Sequence, residues 1–595
     1  MRSFTLIEAI FYVAIVSIIA TFATEAIVST VTIFGKARVK RTINEQGISV
    51  MERMLREIRL SDEIDIGSSI LGSSPGKLSL NTIVSPLNET PIGRQFFIQG
   101  QNLILKEGSA SSAPLTNNVR ITKLLFRRIN PIINAYYVRG SWGGCSNSAN
   151  GTSPATAFCT ISKAASVVVP GNTVLVGAGT YNETVVLTVS GTAGNYIGFI
   201  ADTTGAYTGD AGSVIVDGGA YGFQFTSPGL GNSPGTDYIL IDGFTITGST
   251  SGIWSAHGSD FNVIRNSTIT GNTNGIVLTN AWGNGSYAHA KGWVIENNDI
   301  LANITSGIYF ANGEYTNTIV QNNRIYGNTR GISATDGGNA GFEPANNVTI
   351  QHNKIYGNVD YGIAGHVWFD GVIANNHIYN NAHHGIYYPY RSNSSLQPVT
   401  IRNNTINNNL DHGILFYTGM KAQTIIENNI VSDQVVGISS RRPFGAGHIG
   451  PCSPNVKNNN AWNNSSQNYA GGCSGIAGTE GNISANPLYV SAPADVHLQA
   501  TATGHAANSP SIDTGFQSSI TIGLDSKTTR IDGVGDAGTV DMGYHYGETP
   551  LLGPFLLSAS ANTESVRIEL TIEGGQGRLL SSETFYGTAV LRRSY

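Results

Sequence analysis

The first apolar pattern in the chain is a continuous one. Residues 4–34 are almost wholly apolar or small, and only two glutamates interrupt them. This run is longer than the roughly 20 residues that a helix needs to cross a bilayer. Apolar residues then continue at helical spacing as far as Ile58. The pattern predicts one long helix over residues 1–59, whose first part spans a membrane.

Apolar and polar residues alternate in four later segments, as they do in half-buried β-strands. These segments are residues 95–108, 117–129, 564–575 and 582–593. The last two segments resemble the closing strands of pseudopilins, including the ending FYGTAVLRR, and this resemblance implies that residues 60–129 and 555–595 are two parts of one pilin-like strand body. A surface loop is the place where the intervening domain is inserted with least disruption. An unrelated β-rich tail is the alternative for the second half.

Between these halves the pattern becomes a repeat with a period of about 23 residues. Each copy contains short Ile- and Val-rich strands, an Asn-rich pair and a Gly-Ile dipeptide. The marker glycines of this dipeptide are Gly252, Gly275, Gly307, Gly331, Gly362, Gly385, Gly413 and Gly437. The Asn pair predicts one bend, in which Asn353, Asn376 and Asn404 stack as a ladder about 4.8 Å apart. The marker glycine is expected to permit a second bend.

The repeat resembles that of right-handed parallel β-helix proteins over residues 136–547. Residues 156–187 are similar to the cap that opens many secreted members, the coils follow at about 190–470, and residues 485–547 are similar to the closing segment. The resemblance implies a right-handed parallel β-helix. With the flanking segments, we predict a mainly β fold in which this β-helix is inserted into a pilin-like α+β body with a long N-terminal transmembrane or filament helix. Because this scaffold serves lyases, hydrolases, adhesins and structural proteins, it implies little about activity.

Charge and cysteine content indicate the type of partner and the cellular compartment of the protein. Only 12% of the residues are charged and the net charge is -5, so no nucleic-acid partner is expected. The four cysteines allow three connectivities. We favour Cys145 with Cys159 and Cys452 with Cys473, because this pairing closes the shortest loops. Two disulfides imply an oxidising compartment, and four reduced, buried thiols are the alternative.

The first residues resemble the prepilin-type signal of type IV pilins and type II secretion pseudopilins. The resemblance rests on Phe4 to Glu8, followed by the apolar helix. In that family a prepilin peptidase cuts before the Phe, and the new amino terminus is methylated. The resemblance therefore implies processing between Ser3 and Phe4, with Glu8 as the residue that sets subunit register during assembly. Ser3 departs from the glycine that the family prefers.

The same resemblance implies partners and a location. The partners are other pilin-like subunits bound through the N-terminal helix, the prepilin peptidase, and the membrane before assembly. The precursor is expected in the inner membrane, held by one helix, and the mature protein at the cell surface or in a pilus or pseudopilus. The basic residues after the apolar run argue for the opposite orientation. We give the family resemblance and the paired cysteines more weight.

Binding residues are expected in the variable loops that follow each Gly-Ile dipeptide. If the coils stack in register, aromatic and polar residues line one face, where rings stack on sugars and polar groups bind hydroxyls. The candidate groove residues are His257, Trp282, Tyr309, Asp336, His366, Trp368, Asp370, Tyr387, Tyr390, Arg391, Tyr417 and Arg441. The alternative is that these aromatic residues cover loop backbone and the charges are merely solvated. His383, His384 and His412 precede marker glycines, and we assign them a role in the bend.

Catalysis has less support than binding. A lyase needs a base and carboxylates that hold calcium, and Asp336, Asp370 and Arg391 are the candidates. A hydrolase needs two carboxylates, for which Asp336 and Asp370 are again the pair. No spacing typical of a metal site is recognisable, so no cofactor is expected, except calcium for a lyase.

Two functions are therefore open. The first is a minor pilin-like surface or filament-tip protein that displays a β-helix for adhesion to a glycan. The alternative is a surface-tethered polysaccharide lyase or glycoside hydrolase.

Overall fold

The structure is a computed structural model with two compact units, Met1–Ile133 with Pro554–Tyr595, and Asn134–Gly553. It describes residues 35–590 except 37, 45, 60, 62, 66–67, 72, 83–91, 109–111, 117–118, 130–134, 227–234, 256–257, 280–289, 312–314, 336–344, 366–368, 389–398, 418–423, 442–451, 453–454, 548–564 and 575–580. The apolar run of residues 4–34 therefore lies outside the described residues.

The first unit combines a helix with two antiparallel sheets. Helical residues run from 35 to 59, in the part of this span that is described. One sheet contains, in spatial order, Glu63–Ile64, Leu78–Thr82, Ile92–Gln99, Asn102–Glu107 and Ala113–Pro114. The other contains Ser581–Val590, Ser565–Gly574 and Arg120–Ile129, so the chain returns to this unit after the insert. Ile43, Met54, Phe126 and Leu570 are fully buried in its core.

The second unit is a parallel β-helix with three long sheets, which we name A, B and C. Sheet A contains Ala135–Val138, Thr173–Val176, Ile197–Ala201, Ile239–Asp242, Val263–Arg265, Val294–Glu296, Ile319–Gln321, Ala345–Gln351, Phe369–Ala374, Val399–Arg402, Ile425–Glu427 and Val456–Lys457. Sheet B contains Gly179–Tyr181, Val214–Asp217, Thr245–Thr247, Thr268–Thr270, Asp299–Leu301, Arg324–Tyr326, Lys354–Tyr356, His377–Tyr379, Thr405–Asn407, Ile430–Ser432 and Asn460–Trp462. Sheet C contains Val185–Leu187, Tyr221–Phe225, Ser251–Ser255, Asn274–Thr279, Ser306–Ala311, Arg330–Thr335, Ile363–Ala364, Ile386–Tyr388, His412–Tyr417, Val436–Arg441 and Gln467–Gly471. The prediction of a parallel β-helix is confirmed.

Short elements complete the second unit. They are the helices Ile161–Ala165 and Ser519–Ile522, the 3-10 turns Pro154–Thr156 and Thr501–Thr503, and the hairpin Tyr489–Ser491 with Asp495–Leu498. The helix Ile161–Ala165 begins after Thr160, whose hydroxyl accepts the amide of Lys163. Disulfides join Cys145 to Cys159 and Cys452 to Cys473.

The Ile of each Gly-Ile dipeptide points into the coil. Ile276, Ile308, Ile386 and Ile414 are fully buried, and each pairs in register with its neighbours along sheet C. Burial of apolar surface in this stack stabilises the fold by about 25 cal/mol per Å². Each coil covers the apolar surface of the coils on either side of it.

The Asn ladder is confirmed at the bend between sheets A and B. Asn353 donates to Asn376, and Asn376 donates to Asn404, each at 3.0 Å. The residue before each ladder Asn has positive φ, as His352 (57°) and Asn375 (51°) do, which turns the chain sharply. A second ladder, which was not predicted, lies between sheets B and C, where Asn303, Asn328, Asn358, Asn381 and Asn409 occupy successive coils.

The marker glycines have a different role from the one predicted. They are not among the residues with positive φ, so the bend does not need their conformational freedom. A Cβ added at Gly385 would lie 2.5 Å from Ile406 Cγ2 and 2.8 Å from the carbonyl oxygen of Gly413. Glycine is therefore required because adjacent coils and the Asn ladder approach too closely for a side chain.

Candidate functional site

Three successive coils carry His or Asp two residues before the marker glycine, and two of them also carry His directly before it. Their sequences are Asp360-Tyr361-Gly362, His383-His384-Gly385 and Asp411-His412-Gly413. Backbone hydrogen bonds fix the register, because the amide of His383 donates to the carbonyl of Asp360 (3.0 Å) and that of Asp411 to the carbonyl of His383 (3.1 Å). The stacking therefore brings two carboxyl groups and three imidazoles together. We name Asp360, His383, His384, Asp411 and His412 the His–Asp ladder.

Asp411 is the centre of the His–Asp ladder. Its Oδ2 lies 3.3 Å from Nε2 of His383 and 3.4 Å from Nδ1 of His384, and its Oδ1 lies 2.7 Å from Nδ1 of His412. His383 also reaches the preceding coil, where its Nδ1 lies 3.1 Å from Oδ1 of Asp360. One exposed imidazole is thus held between two carboxylates on the coils on either side.

The ladder has an exposed edge and a buried edge. The side chain of His383 is 42% exposed and that of Asp411 33%, whereas those of His384 and His412 are each 7% exposed. Burial and the neighbouring His383 lower the pKa of His384 to about 3. Burial also lowers the pKa of His412, although Asp411 opposes this shift. The two buried imidazoles are therefore neutral at physiological pH.

Two tyrosines stack beside the ladder. The rings of Tyr361 and Tyr387 lie 5.0 Å apart at 15°, and the ring of Tyr361 lies 5.1 Å from that of His383. Both tyrosines are partly exposed. The site therefore combines a flat aromatic surface with exposed proton-transfer groups.

The candidate groove residues divide into three groups. Tyr309, Tyr387 and Arg441 are described with their side chains; Tyr309 and Tyr387 occupy one register position of sheet C, three coils apart. Only the backbone is described for Asp370, in Phe369–Ala374, and for Tyr417, in His412–Tyr417. The others lie outside the described residues: His257, Trp282, Asp336, His366, Trp368, Tyr390 and Arg391. The grouping of Asp336, Asp370 and Arg391 stays a prediction.

The sequence prediction missed the role of His383, His384 and His412. It treated them as bend residues, yet their imidazoles converge on one carboxylate. The signal was present in the sequence, because His or Asp recurs at the same offset from the marker glycine in three adjacent coils.

A second group of titratable residues is structural. Asp536, Asp541 and His545 are buried in the closing segment, where Nε2 of His545 lies 2.7 Å from Oδ2 of Asp536. The amide of Asp541 donates to the same oxygen at 2.8 Å, and the carboxylate of Asp541 accepts from Thr529 and from the amide of Asp513. Burial and the neighbouring Asp536 raise the pKa of Asp541. These bonds hold the closing segment together.

Two family models match the chain. Residues 341–442 match the "Right handed beta helix region", and residues 165–342 match the "Periplasmic copper-binding protein (NosD)". The first match supports the predicted right-handed coil. The second, together with the two disulfides, supports an extracytoplasmic location.

The described residues of 165–342 do not fit the copper ion that the printed family name implies. Copper binds through imidazole, thiolate or thioether ligands. The described part of this segment contains no His, Cys or Met, because His257 and His289 lie outside it.

The identification of the chain as a pilin-like protein is wrong. Neither matching family is a pilin family. The identification rested on Phe4 to Glu8, on the apolar run behind them and on the likeness of the last strands to those of pseudopilins. An apolar run of this length suits any segment that crosses a bilayer and does not identify one family. The roles assigned to Ser3, Phe4 and Glu8, which lie outside the described residues, fall with it. So do the pilin-like subunits and the peptidase as partners.

Among the residues that the structure describes, no helix is both long and apolar enough to cross a membrane.

The comparison with curated proteins found no match. Several solved structures are similar at low identity. Pectate lyase Pel9A is 19% identical, with a TM-score of 0.39 over 65% of this chain and 92% of that one. The Azotobacter vinelandii mannuronan C-5 epimerase AlgE4 A-module is 16% identical, with a TM-score of 0.33 over 59% and 87%. XylC in complex with xylose is 14% identical, with a TM-score of 0.39 over 52% and 70%.

Proposed function

We propose that this protein binds an acidic polysaccharide outside the cytoplasm and cleaves it by β-elimination at the His–Asp ladder. The observation that carries the proposal is the position of the half-exposed imidazole of His383, which lies between two carboxylates and beside two stacked tyrosine rings. Sugar binding and proton transfer are thereby available at one place on the β-helix.

The tyrosines supply the binding surface. Sugars present apolar C–H faces that pack on aromatic rings, while their hydroxyls bind to polar groups at the ring edges. Tyr361 and Tyr387 present such a surface next to the ladder. Arg441 is exposed on the next coil, in the strand Val436–Arg441 that pairs with His412–Tyr417, and its positive charge would attract a sugar carboxylate.

His383 supplies the base. If its Nδ1–H donates to Asp360, its Nε2 carries the lone pair that accepts a proton. It takes the proton from the carbon next to the sugar carboxylate, and the electron pair forms a carbon–carbon double bond. The glycosidic carbon–oxygen bond then breaks, the departing oxygen takes a proton from a water molecule, and the proton on His383 returns to the hydroxide that is left. The step needs no further reactant.

The test is incubation of the purified full chain with acidic and neutral polysaccharides. We expect new reducing ends together with unsaturated products from an acidic substrate. We expect His383→Ala to lower the rate by about 100-fold or more. His505→Ala is the control, because that residue lies in the closing segment and bonds to Thr503.

Other outcomes discriminate between the functions. Reducing ends without unsaturated products would indicate a hydrolase. Tight binding without products would indicate a glycan-binding protein. An unchanged rate in His383→Ala would remove the ladder from the mechanism.

A further inference from the structure

Three possible electron-pair donors converge in the His–Asp ladder. They are Nε2 of His383, Nδ1 of His384 and Oδ2 of Asp411. The nitrogens lie 3.3 and 3.4 Å from the oxygen, and one ligand atom from each residue can be chosen so that all three lie within 4.8 Å of one another. Such an arrangement is repulsive unless a proton or another cation lies among these atoms.

The hydrogen bonds around the ladder indicate which nitrogens carry lone pairs. Nδ1 of His383 lies 3.1 Å from the carboxylate of Asp360, and in a neutral ring this places the proton on Nδ1 and leaves Nε2 bare. Nδ1 of His384 accepts a long hydrogen bond of 3.3 Å from the amide of His412, so this nitrogen is also unprotonated. Each imidazole therefore has an unprotonated nitrogen within 3.4 Å of Oδ2 of Asp411, and an ion bound by His384 would replace the long hydrogen bond from the amide of His412.

The distances suit a metal ion of ordinary size. A tetrahedral site with bonds of about 2.0–2.1 Å has ligand atoms about 3.4 Å apart. The two nitrogen–oxygen distances, 3.3 and 3.4 Å, are close to this value. The side chain of His383 is 42% exposed, so an ion can enter from solvent.

Two further residues orient these ligands. Asp360 contacts the far nitrogen of His383 at 3.1 Å, and His412 contacts the other oxygen of Asp411 at 2.7 Å. Carboxylate–imidazole pairs of this kind fix the tautomer and ring orientation in metal sites. Stacked coils hold all five residues in place through backbone hydrogen bonds.

We propose that His383, His384 and Asp411 bind one divalent transition-metal ion through Nε2, Nδ1 and Oδ2. Two imidazoles and one carboxylate favour Zn²⁺ and Cu²⁺ over Ca²⁺ and Mg²⁺, and Cu²⁺ binds more tightly. The site lies beyond residues 165–342, so the match to a copper-binding family does not cover it. Metal binding goes beyond the polysaccharide function and does not depend on it.

One consequence does rest on the proposed function. An ion on Nε2 of His383 occupies the lone pair that the elimination requires. The metal-loaded protein is therefore expected to be inactive, and removal of the ion restores cleavage.

The test is calorimetric titration of the metal-stripped full chain with Zn²⁺ and, separately, with Cu²⁺. We expect one ion per chain, and the electron paramagnetic resonance spectrum of bound Cu²⁺ should show two nitrogen ligands. His383→Gln and Asp411→Asn are expected to weaken binding by on the order of 100-fold, and Asp360→Asn by about 10-fold. His505→Gln is the control, and circular dichroism of each variant checks that it folds.

Two results would overturn the site. One is the absence of stoichiometric binding of either ion, which would mean that a proton alone bridges the ladder. The other is binding that His383→Gln and Asp411→Asn leave unchanged. Metal binding without any polysaccharide cleavage by the metal-free chain would instead contradict only the proposed function.

Discussion

The marker glycines set how closely neighbouring coils approach. A methyl group at Gly385 would lie 2.5 Å from Ile406 Cγ2, 2.8 Å from the carbonyl oxygen of Gly413 and 3.1 Å from Asn409 Nδ2. Gly385→Ala is expected to lower the free energy of unfolding by about 1–3 kcal/mol, because the coils must separate. Gly143→Ala is the control, since nothing lies within 4 Å of its Cβ position. Chemical denaturation compares the two variants, and equal midpoints would contradict the packing role.

Buried His377 is expected to make stability depend on pH. Burial lowers the pKa of His377 to about 3, whereas an unfolded histidine has a pKa of about 6.5. Between these values the unfolded chain binds a proton that the folded chain does not. The contribution of neutral His377 to the free energy of unfolding is therefore fully present above about pH 6.5. Below that pH it falls by about 1.4 kcal/mol per pH unit.

This pH dependence can be measured with one substitution. His377→Gln removes the titrating group and should reduce the loss between about pH 6.5 and pH 5 by about 2 kcal/mol. Burial also lowers the pKa of His352 to about 3, so this residue still adds to the pH dependence of stability in the variant. Denaturation at several pH values provides the measurement. An unchanged slope would contradict the prediction.

The Asn ladders are the elements that keep successive coils in register. Asn376 donates to Asn404 Oδ1 (3.0 Å) and to the carbonyl of Ile350 (2.9 Å), and its own oxygen accepts the amide of Asn353 (3.0 Å). Asn376→Ala leaves buried groups without partners and is expected to cost about 2–4 kcal/mol in the free energy of unfolding. Asn380→Gly is the control, because that side chain is exposed and glycine adopts its left-handed backbone (φ 56°) without strain. Thermal melting compares the two, and equal losses would contradict the ladder's role.

The sequence predicted the coil better than the site. The Gly-Ile dipeptide and the Asn pair have one position each per coil, so their spacing was enough to place the sheets and the first ladder. The His–Asp ladder needs the side chains of three coils to meet, and that depends on loops whose length differs from coil to coil. A single coil such as residues 383–385 carries no sign of its partners at Asp360 and Asp411.

The two ends of the chain show what an apolar pattern can and cannot identify. Residues 4–34 indicated a membrane-spanning helix of a pilin, but the same apolar composition suits any segment that enters a bilayer. The strands predicted at 117–129 and 564–575 depended on alternation, and Arg120–Ile129 and Ser565–Gly574 pair antiparallel. A periodic pattern specifies local geometry, whereas membership of a family needs many more matched positions.

The closing segment is attached to the coils by the left-handed Asn residues of the first bend. Asn375 Nδ2 donates to the carbonyl of His545 (2.8 Å) and its Oδ1 accepts the amide of His545 (2.6 Å). Asn403 donates to the carbonyl of Asp541 at 3.0 Å, one coil further on. The same residues thus turn the chain and hold the segment that covers the outside of the bend.

This arrangement predicts that the closing segment can be loosened without unfolding the coils. The double variant Asn375→Ala, Asn403→Ala removes three hydrogen bonds to residues 541–545 and is expected to speed their amide hydrogen exchange by about 10-fold or more. Asn297→Ala is the matched control. Asn297 has the same left-handed backbone conformation (φ 55°), and its coil precedes the coils whose Asn375 and Asn403 bond to the closing segment. Exchange measured by mass spectrometry should change in the closing segment alone. A uniform increase through all coils would show that these residues stabilise the coil itself, and the segment would then be part of one cooperative unit.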